Sequence, residues 1–163
     1  MKNIFITLIA LILCGTEYAN SQATMGFRGF VDATYTVGVG ERGNGYDRAG
    51  IMTSYGCQVL PQLFVGGGAG INYYGDSQIG LPVFAHVRGD VREGSTPFAD
   101  IRVGYSFKNF EGFYLNPAIG YRFRLNDNMG LSLGFGYTMQ YAGFGGHGKE
   151  NCGGMDFRVG IDF

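Results

Sequence analysis

Arginine and aspartate recur at even spacings along this sequence: Arg28 and Asp32, Arg88, Asp100 and Arg102, Arg122, then Asp156, Arg158 and Asp162. Such groups either line a pore that selects ions or pair with one another and close it. Two further constellations could do chemistry. Asp76-Ser77 with His147, or with His86, offers the serine and histidine of a hydrolytic site. His147, Glu150 and Cys152 carry donors that a metal accepts, but no Cys/His spacing here matches a zinc module. Both have plainer explanations, since Asp-Ser is frequent in turns and a polar loop accounts for the other three. The expectation is no catalytic residue, no cofactor and no metal.

The elements that position the charged set come from alternation. Eight strands are predicted over 27–39, 49–59, 63–73, 81–90, 97–107, 113–123, 129–141 and 155–163. Successive side chains of a strand point to opposite faces, so each segment divides into two sets. One set is apolar throughout: Phe27, Val31, Ala33, Tyr35 and Val37 in the first strand, Leu131, Leu133, Phe135, Tyr137 and Met139 in the seventh. The other set holds the arginines, the aspartates and His86, with Thr, Ser, Asn, Gln and many glycines between them.

Alternation of this kind fits a soluble sandwich with its apolar face inward, or a membrane barrel with its apolar face on lipid. The polar face decides between them. Water-facing positions of soluble proteins fill with long charged residues, whereas glycine dominates here. Aromatics of the apolar set gather at strand ends, with Phe27, Phe123 and Phe163 at one rim and Tyr73, Phe107, Phe113 and Tyr141 at the other. Aromatic girdles belong at lipid–water interfaces. The fold class expected is all-β, an eight-stranded antiparallel up-and-down transmembrane β-barrel over residues 24–163.

Composition agrees with one all-β domain: 30 glycines, 11 tyrosines and 14 phenylalanines stand against four prolines in 163 residues. A net charge of −1 gives no footprint for nucleic acid. Residues 1–23 read as a cleavable secretory signal, with Lys2, an apolar run from Ile4 to Leu13, and cleavage after Ala23 or Ala19. Cys14 falls inside it, where bulky Ile12 and Leu13 disfavour lipidation. Cys57 and Cys152 are expected near opposite barrel ends and unbridged.

The breaks alternate in length. Leu60-Pro61-Gln62, 90–96 and 124–128 are short turns; 40–48, 74–80, 108–112 and 142–154 include the longest connections. An even strand number puts both termini on the short-turn side, the periplasmic side of such barrels. Eight strands enclose a space that side chains just fill, and Phe30, Phe64, Phe84, Phe98 and Tyr114 are the bulky inward residues. One antiparallel register between the first and last strands predicts Arg28 with Asp162 and Asp32 with Arg158; Asp100 is placed near Arg122. The interior is then a salt-bridged plug.

The final residues alternate to a terminal aromatic, and other segments repeat the pattern: Val65-Gly66-Gly67-Gly68-Ala69-Gly70, Leu81-Pro82-Val83-Phe84-Ala85, Pro97-Phe98-Ala99-Asp100, Gly104-Tyr105 and Gly120-Tyr121-Arg122-Phe123. On these the mature chain resembles the small eight-stranded outer-membrane barrels of the OmpA/OmpX-like group, and most closely the porin-like outer-membrane β-barrel domain of Bacteroidota. The resemblance implies that Phe157, Val159, Ile161 and Phe163 form the signal read by the barrel-assembly machinery. Periplasmic chaperones and outer-membrane lipid are the other implied partners.

The expected function is a non-catalytic structural or surface barrel of a Gram-negative outer membrane, monomeric, with both termini periplasmic. The alternatives are a narrow porin-like channel, favoured by the inward arginines, and an adhesion barrel that binds through loops such as 41–48. A lipid A-modifying enzyme is the remaining alternative, on the serine and histidine residues above.

Overall fold

The structure, a computed structural model, describes residues 26–39, 47–74, 78–126, 129–144, 147–151 and 153–163, with backbone alone for 142–144 and 147–151. The expected signal peptide with Cys14, loop residues 40–46, Asp76-Ser77, Cys152 and the side chains of His147 and Glu150 lie outside that description.

The described residues form nine strands: β1 (Phe27–Gly38), β2 (Arg48–Leu60), β3 (Leu63–Tyr74), β4 (Gln78–Asp90), β5 (Thr96–Lys108), β6 (Glu111–Arg124), β7 (Gly130–Phe144), β8 (His147–Asn151) and β9 (Gly154–Asp162). Every pairing is antiparallel. Strands β1 to β7 pair in sequence order, β9 pairs with β7 on one side and β1 on the other, and the sheet is closed. β8 and β9 lie on β7 in one register as far as Ala142, Tyr141 opposite Asn151 and Tyr137 opposite Met155, with a one-residue shift beyond it. They are two parts of one strand, so the wall has eight staves.

That continuity corrects the expectation of a long loop over 142–154. The last hairpin instead runs on past the barrel rim. Its outer part, glycine-rich and polar, lacks the apolar alternation that marks a lipid-facing strand, although its backbone ladder needs none. Likewise β4 begins at Gln78 rather than Leu81, and only Asn109 and Phe110 separate β5 from β6.

Rungs followed from Gly26 pass through Gln58, Phe64, Arg88, Asp100, Ala118, Gly136 and Asp156 and return to β1 at Thr36, ten residues further along. With strands about 4.8 Å apart and rising about 3.3 Å per residue, this shear tilts them about 40° from the barrel axis. Two stretches lack their rungs. Gly70 and Ile71 are unpaired with β4 beside Pro82, and Asn116 and Pro117 are unpaired with β7. Proline has no N–H to offer a ladder. On the inner side of the second gap, Asn116 Nδ2 donates to Thr138 Oγ1 at 2.5 Å and holds the two strands together.

Burial alternates as the side chains do; β9 reads buried, exposed, buried along its whole length. The order is inverted relative to a water-soluble barrel. Ile51 and Ile119 are 64 % and 65 % exposed, whereas Arg102 is 2 % exposed and His86 fully buried. Phe30, Phe64, Phe84, Phe98 and Tyr114 fill the interior, and both expected girdles face outward. Glycine makes room for this bulk. A Cβ on Gly120 would strike the Phe98 ring at 2.5 Å.

Candidate functional site

The charged set converges on the barrel axis in layers. At the short-turn end, five side chains from four strands form an alternating chain. Arg88 donates from Nε to Asp90 at 3.0 Å, and Arg28 reaches Asp90 at 2.8 Å and Asp162 at 3.0 Å. Arg122 donates from Nε to Asp162 at 2.8 Å. Two carboxylates thus bind three guanidinium groups across the floor. The Arg88 guanidinium also lies against the Phe98 ring, 3.6 Å from its centroid, and faces Phe30 at 5.0 Å. Guanidinium planes stack well on aromatic faces because they are weakly hydrated.

One layer further in, Arg102 reaches across to pair with Asp32. Arg158 lies between Asp100 at 2.9 Å and Asp156 at 3.2 Å, and also bonds Asn116 Oδ1. Thr36 Oγ1 donates to Asp156 at 2.8 Å. All five charged groups of this layer are buried. Charges removed from water are costly unless paired and hydrogen-bonded; every charge of this layer has an opposite partner, although Arg102 uses only Nη2 for it.

The opposite end is closed by neutral contacts. Tyr74 and Phe110 stack at 3.8 Å, Tyr74 Oη donates to Gln140 at 2.7 Å, and Gln140 Nε2 donates to the Phe110 carbonyl at 2.9 Å. Arg48 sits beside them, 5.6 Å from the Tyr74 ring centroid.

The pairings differ in detail from those read off the sequence. Arg28 does meet Asp162, but diagonally, because β1 and β9 are offset by two residues from the expected register. Phe30 lies opposite Asp162 and Thr34 opposite Arg158. Backbone bonds in both directions join Gly29 to Phe163, at 2.7 and 3.0 Å, and fix this offset. The Phe163 ring covers Gly29, where a Cβ would come within 2.8 Å of it. Asp32 therefore pairs with Arg102, across the lumen, instead of Arg158. Asp100 lies opposite Ala118 and Arg122 opposite Thr96. The tight β5–β6 turn, with Lys108 at φ 76°, sets that register and separates Asp100 from Arg122.

Ser54, Asn116 and Gln140 fall in the expected inward set without having been singled out, and Asp90, Arg48, Tyr74 and Phe110 were not expected among the interior contacts. Both Asp90 and Arg48 share the parity of their strands' inward residues: Asp90 ends the expected fourth strand, and Arg48 lies one step before the expected second. Ser54 joins His86 and Asp100 in a buried row. Its Oγ is 2.8 Å from His86 Nδ1, and His86 Nε2 is 3.5 Å from Asp100 Oδ2. The Phe30 and Phe64 rings pack edgewise on His86, at 5.4 and 5.2 Å. These residue types resemble a hydrolytic triad, but a nucleophile must meet its substrate, and Ser54 is buried inside the barrel, 3 % exposed. Among the described residues no cluster of three or more His, Cys, Asp or Glu could hold a metal ion.

No family model matches the chain, and no curated protein matches it. Among solved structures it is similar to Neisserial surface protein A (NspA), at 14% identity, 86% coverage of this chain, 98% of that chain, and a TM-score of 0.64. It is also similar to a structure from the de novo design of transmembrane β-barrels, at 18% identity, 87% and 97% coverage, and a TM-score of 0.54. Identities this low speak to the fold alone, which is that of eight-stranded transmembrane barrels.

Proposed function

We propose that this protein is a non-catalytic barrel of a Gram-negative outer membrane, with a structural or surface role and an interior closed by its own side chains. The supporting observation is the inverted burial. Outward positions carry exposed Val, Ile, Leu, Phe and Tyr, while Arg28, Asp32, Arg88, Asp100, Arg102, Arg122, Asp156, Arg158 and Asp162 face inward in paired layers. An apolar band of this extent is stable against acyl chains and unstable in water.

On this reading the chain belongs with the OmpA/OmpX-like barrels and the porin-like domain of Bacteroidota. Its short turns face the periplasm, residues 1–23 are removed on export, and the folded protein is a monomer. Phe157, Val159 and Phe163 project outward on the last strand with Ile161, as an assembly signal must for a partner to read it. Chaperones of the periplasm and the barrel-assembly machinery are its partners before insertion, outer-membrane lipid afterwards.

The test has two parts. Fractionated cells should hold the protein in the outer membrane, with heat-modifiable migration on gels; then a planar bilayer should record no stable conductance. A steady, sizeable current would overturn the closed interior. One observation favours the narrow channel as a second reading: Asn72 Nδ2, Ser106 Oγ and Arg102 Nε and Nη1 are buried without a hydrogen-bond partner, as atoms facing internal water would be. Under that reading, neutralising Arg102 changes ion selectivity.

A further inference from the structure

At the short-turn end, outside the floor chain, lies a cleft of about 230 Å³ whose lining includes Arg28, Asp90, Arg92, Glu93, Arg122 and Arg124. Four guanidinium groups face two carboxylates there. Arg28 and Arg122 are engaged with Asp90 and Asp162. Arg92 is not: its side chain makes one hydrogen bond among the described residues, from Nε to the Ser95 carbonyl at 3.3 Å, so both Nη groups are open. The cleft is held in shape. Arg92 N donates to Thr96 Oγ1 at 3.1 Å, Arg124 N to Ser95 Oγ at 3.1 Å, and Arg122 Nη1 to the Gly94 carbonyl at 3.3 Å, which ties the β4–β5 turn to the end of β6.

Its level identifies the ligand. Val91 and Leu125 are 67 % and 59 % exposed and follow the outward parity of β4 and β6, so they end the apolar band, and each adjoins one of the cleft's arginines. Arg92 and Arg124 stand where hydrocarbon gives way to headgroups. A planar guanidinium with two free amino groups matches the spacing of phosphate oxygens, and the cleft is smaller than sites for drug-sized molecules.

We propose that this cleft is a phosphate-binding site, with Arg92 as its principal ligand, taking either the phosphate of a phospholipid headgroup or free inorganic phosphate. The headgroup source rests on the membrane reading above; the inorganic source does not.

The experiment uses the folded protein in detergent micelles. Phosphorus NMR reads binding of inorganic phosphate, and native mass spectrometry compares dimyristoyl phosphatidylglycerol with dimyristoyl glycerol. Saturable binding in either arm, weakened about tenfold by Arg92→Gln as expected for one lost charge-assisted contact, upholds the site. Lys108→Gln, at the opposite end of β5, should leave binding unchanged. A lipid that binds while inorganic phosphate does not assigns the headgroup; phosphate that displaces the lipid assigns the soluble anion. Arg92 is exposed, and unchanged heat-modifiable migration will show that its variant folds. Absence of binding in both arms, or equal loss in the Arg92 and Lys108 variants, overturns the proposal. A protein missing from the membrane fraction would overturn the membrane reading and leave the phosphate arm standing.

Discussion

Arg158 sets one amino group against both carboxylate oxygens of Asp100, at 2.9 and 3.0 Å, with each side chain almost completely shielded from solvent. Removing one partner of such a pair strands the other charge, which typically costs about 3–5 kcal/mol, whereas an apolar pair of similar volume is often tolerated. Because Asp156 still faces Arg158, Asp100→Asn should destabilise the barrel by the lower end of that range, about 3 kcal/mol. The double replacement Asp100→Leu with Arg158→Met should cost less than the sum of the two single replacements. Urea titration of the refolded protein, read by gel migration, measures both; simple additivity would refute a coupled pair.

Glycines along the wall divide into those that something covers and those that nothing does. Gly29→Ala pushes a methyl group into the Phe163 ring, while Gly67→Ala meets only the Phe84 carbonyl oxygen, at 3.7 Å. The first should destabilise the β1–β9 seam. The second should stabilise by about 0.4–1 kcal/mol, through lost freedom of the unfolded chain. Equal effects would mean that Phe163 does not rest on Gly29.

Orientation is tested by charge. Leu133 and Val159 lie opposite one another on β7 and β9 and face outward. Leu133→Arg or Val159→Arg should cost about 2 kcal/mol or more during refolding into vesicles. An exposed site on a water-soluble protein would absorb the same change within about 0.5 kcal/mol.

The terminal aromatic should separate assembly from stability. Phe163→Ala keeps the backbone bonds to Gly29, so the purified variant should still refold into vesicles. In cells its yield in the outer membrane should fall several-fold, with the remainder accumulating in the periplasm. Equal impairment in both settings would reduce Phe163 to a packing residue.

Much of this architecture is legible in the sequence because a strand's period of two is a local property. Runs such as Met155 to Phe163 or Met129 to Tyr141 declare both faces without knowledge of any neighbour. Strand number, the inward fate of Arg102 and Asp156 and the outward fate of Val31 and Leu133 follow from it. Register is not local. Which arginine meets which aspartate depends on the shear accumulated around the whole wall, on the two-residue turn after Lys108, and on the fit of Phe163 over Gly29. An offset of two residues keeps every side chain on its proper face, so alternation cannot detect it, yet it hands Asp32 to a different arginine. In the roof, Gln140 and Tyr74 obey the same period, Tyr74 one step beyond the expected third strand, whereas Phe110 was illegible because it lies in the turn between β5 and β6, where alternation stops.

The chain of contacts from Arg88 to Arg122 across the floor links β4, β1, β9 and β6, and one of its two acids, Asp162, is carried by the strand that closes the sheet. A ribbon still lacking that strand holds three cations against Asp90 alone and cannot shed its water cheaply. Docking of the final strand halves the surplus and zips the seam in the same movement. Closing the ring and delivering the second carboxylate to the floor are thus a single event.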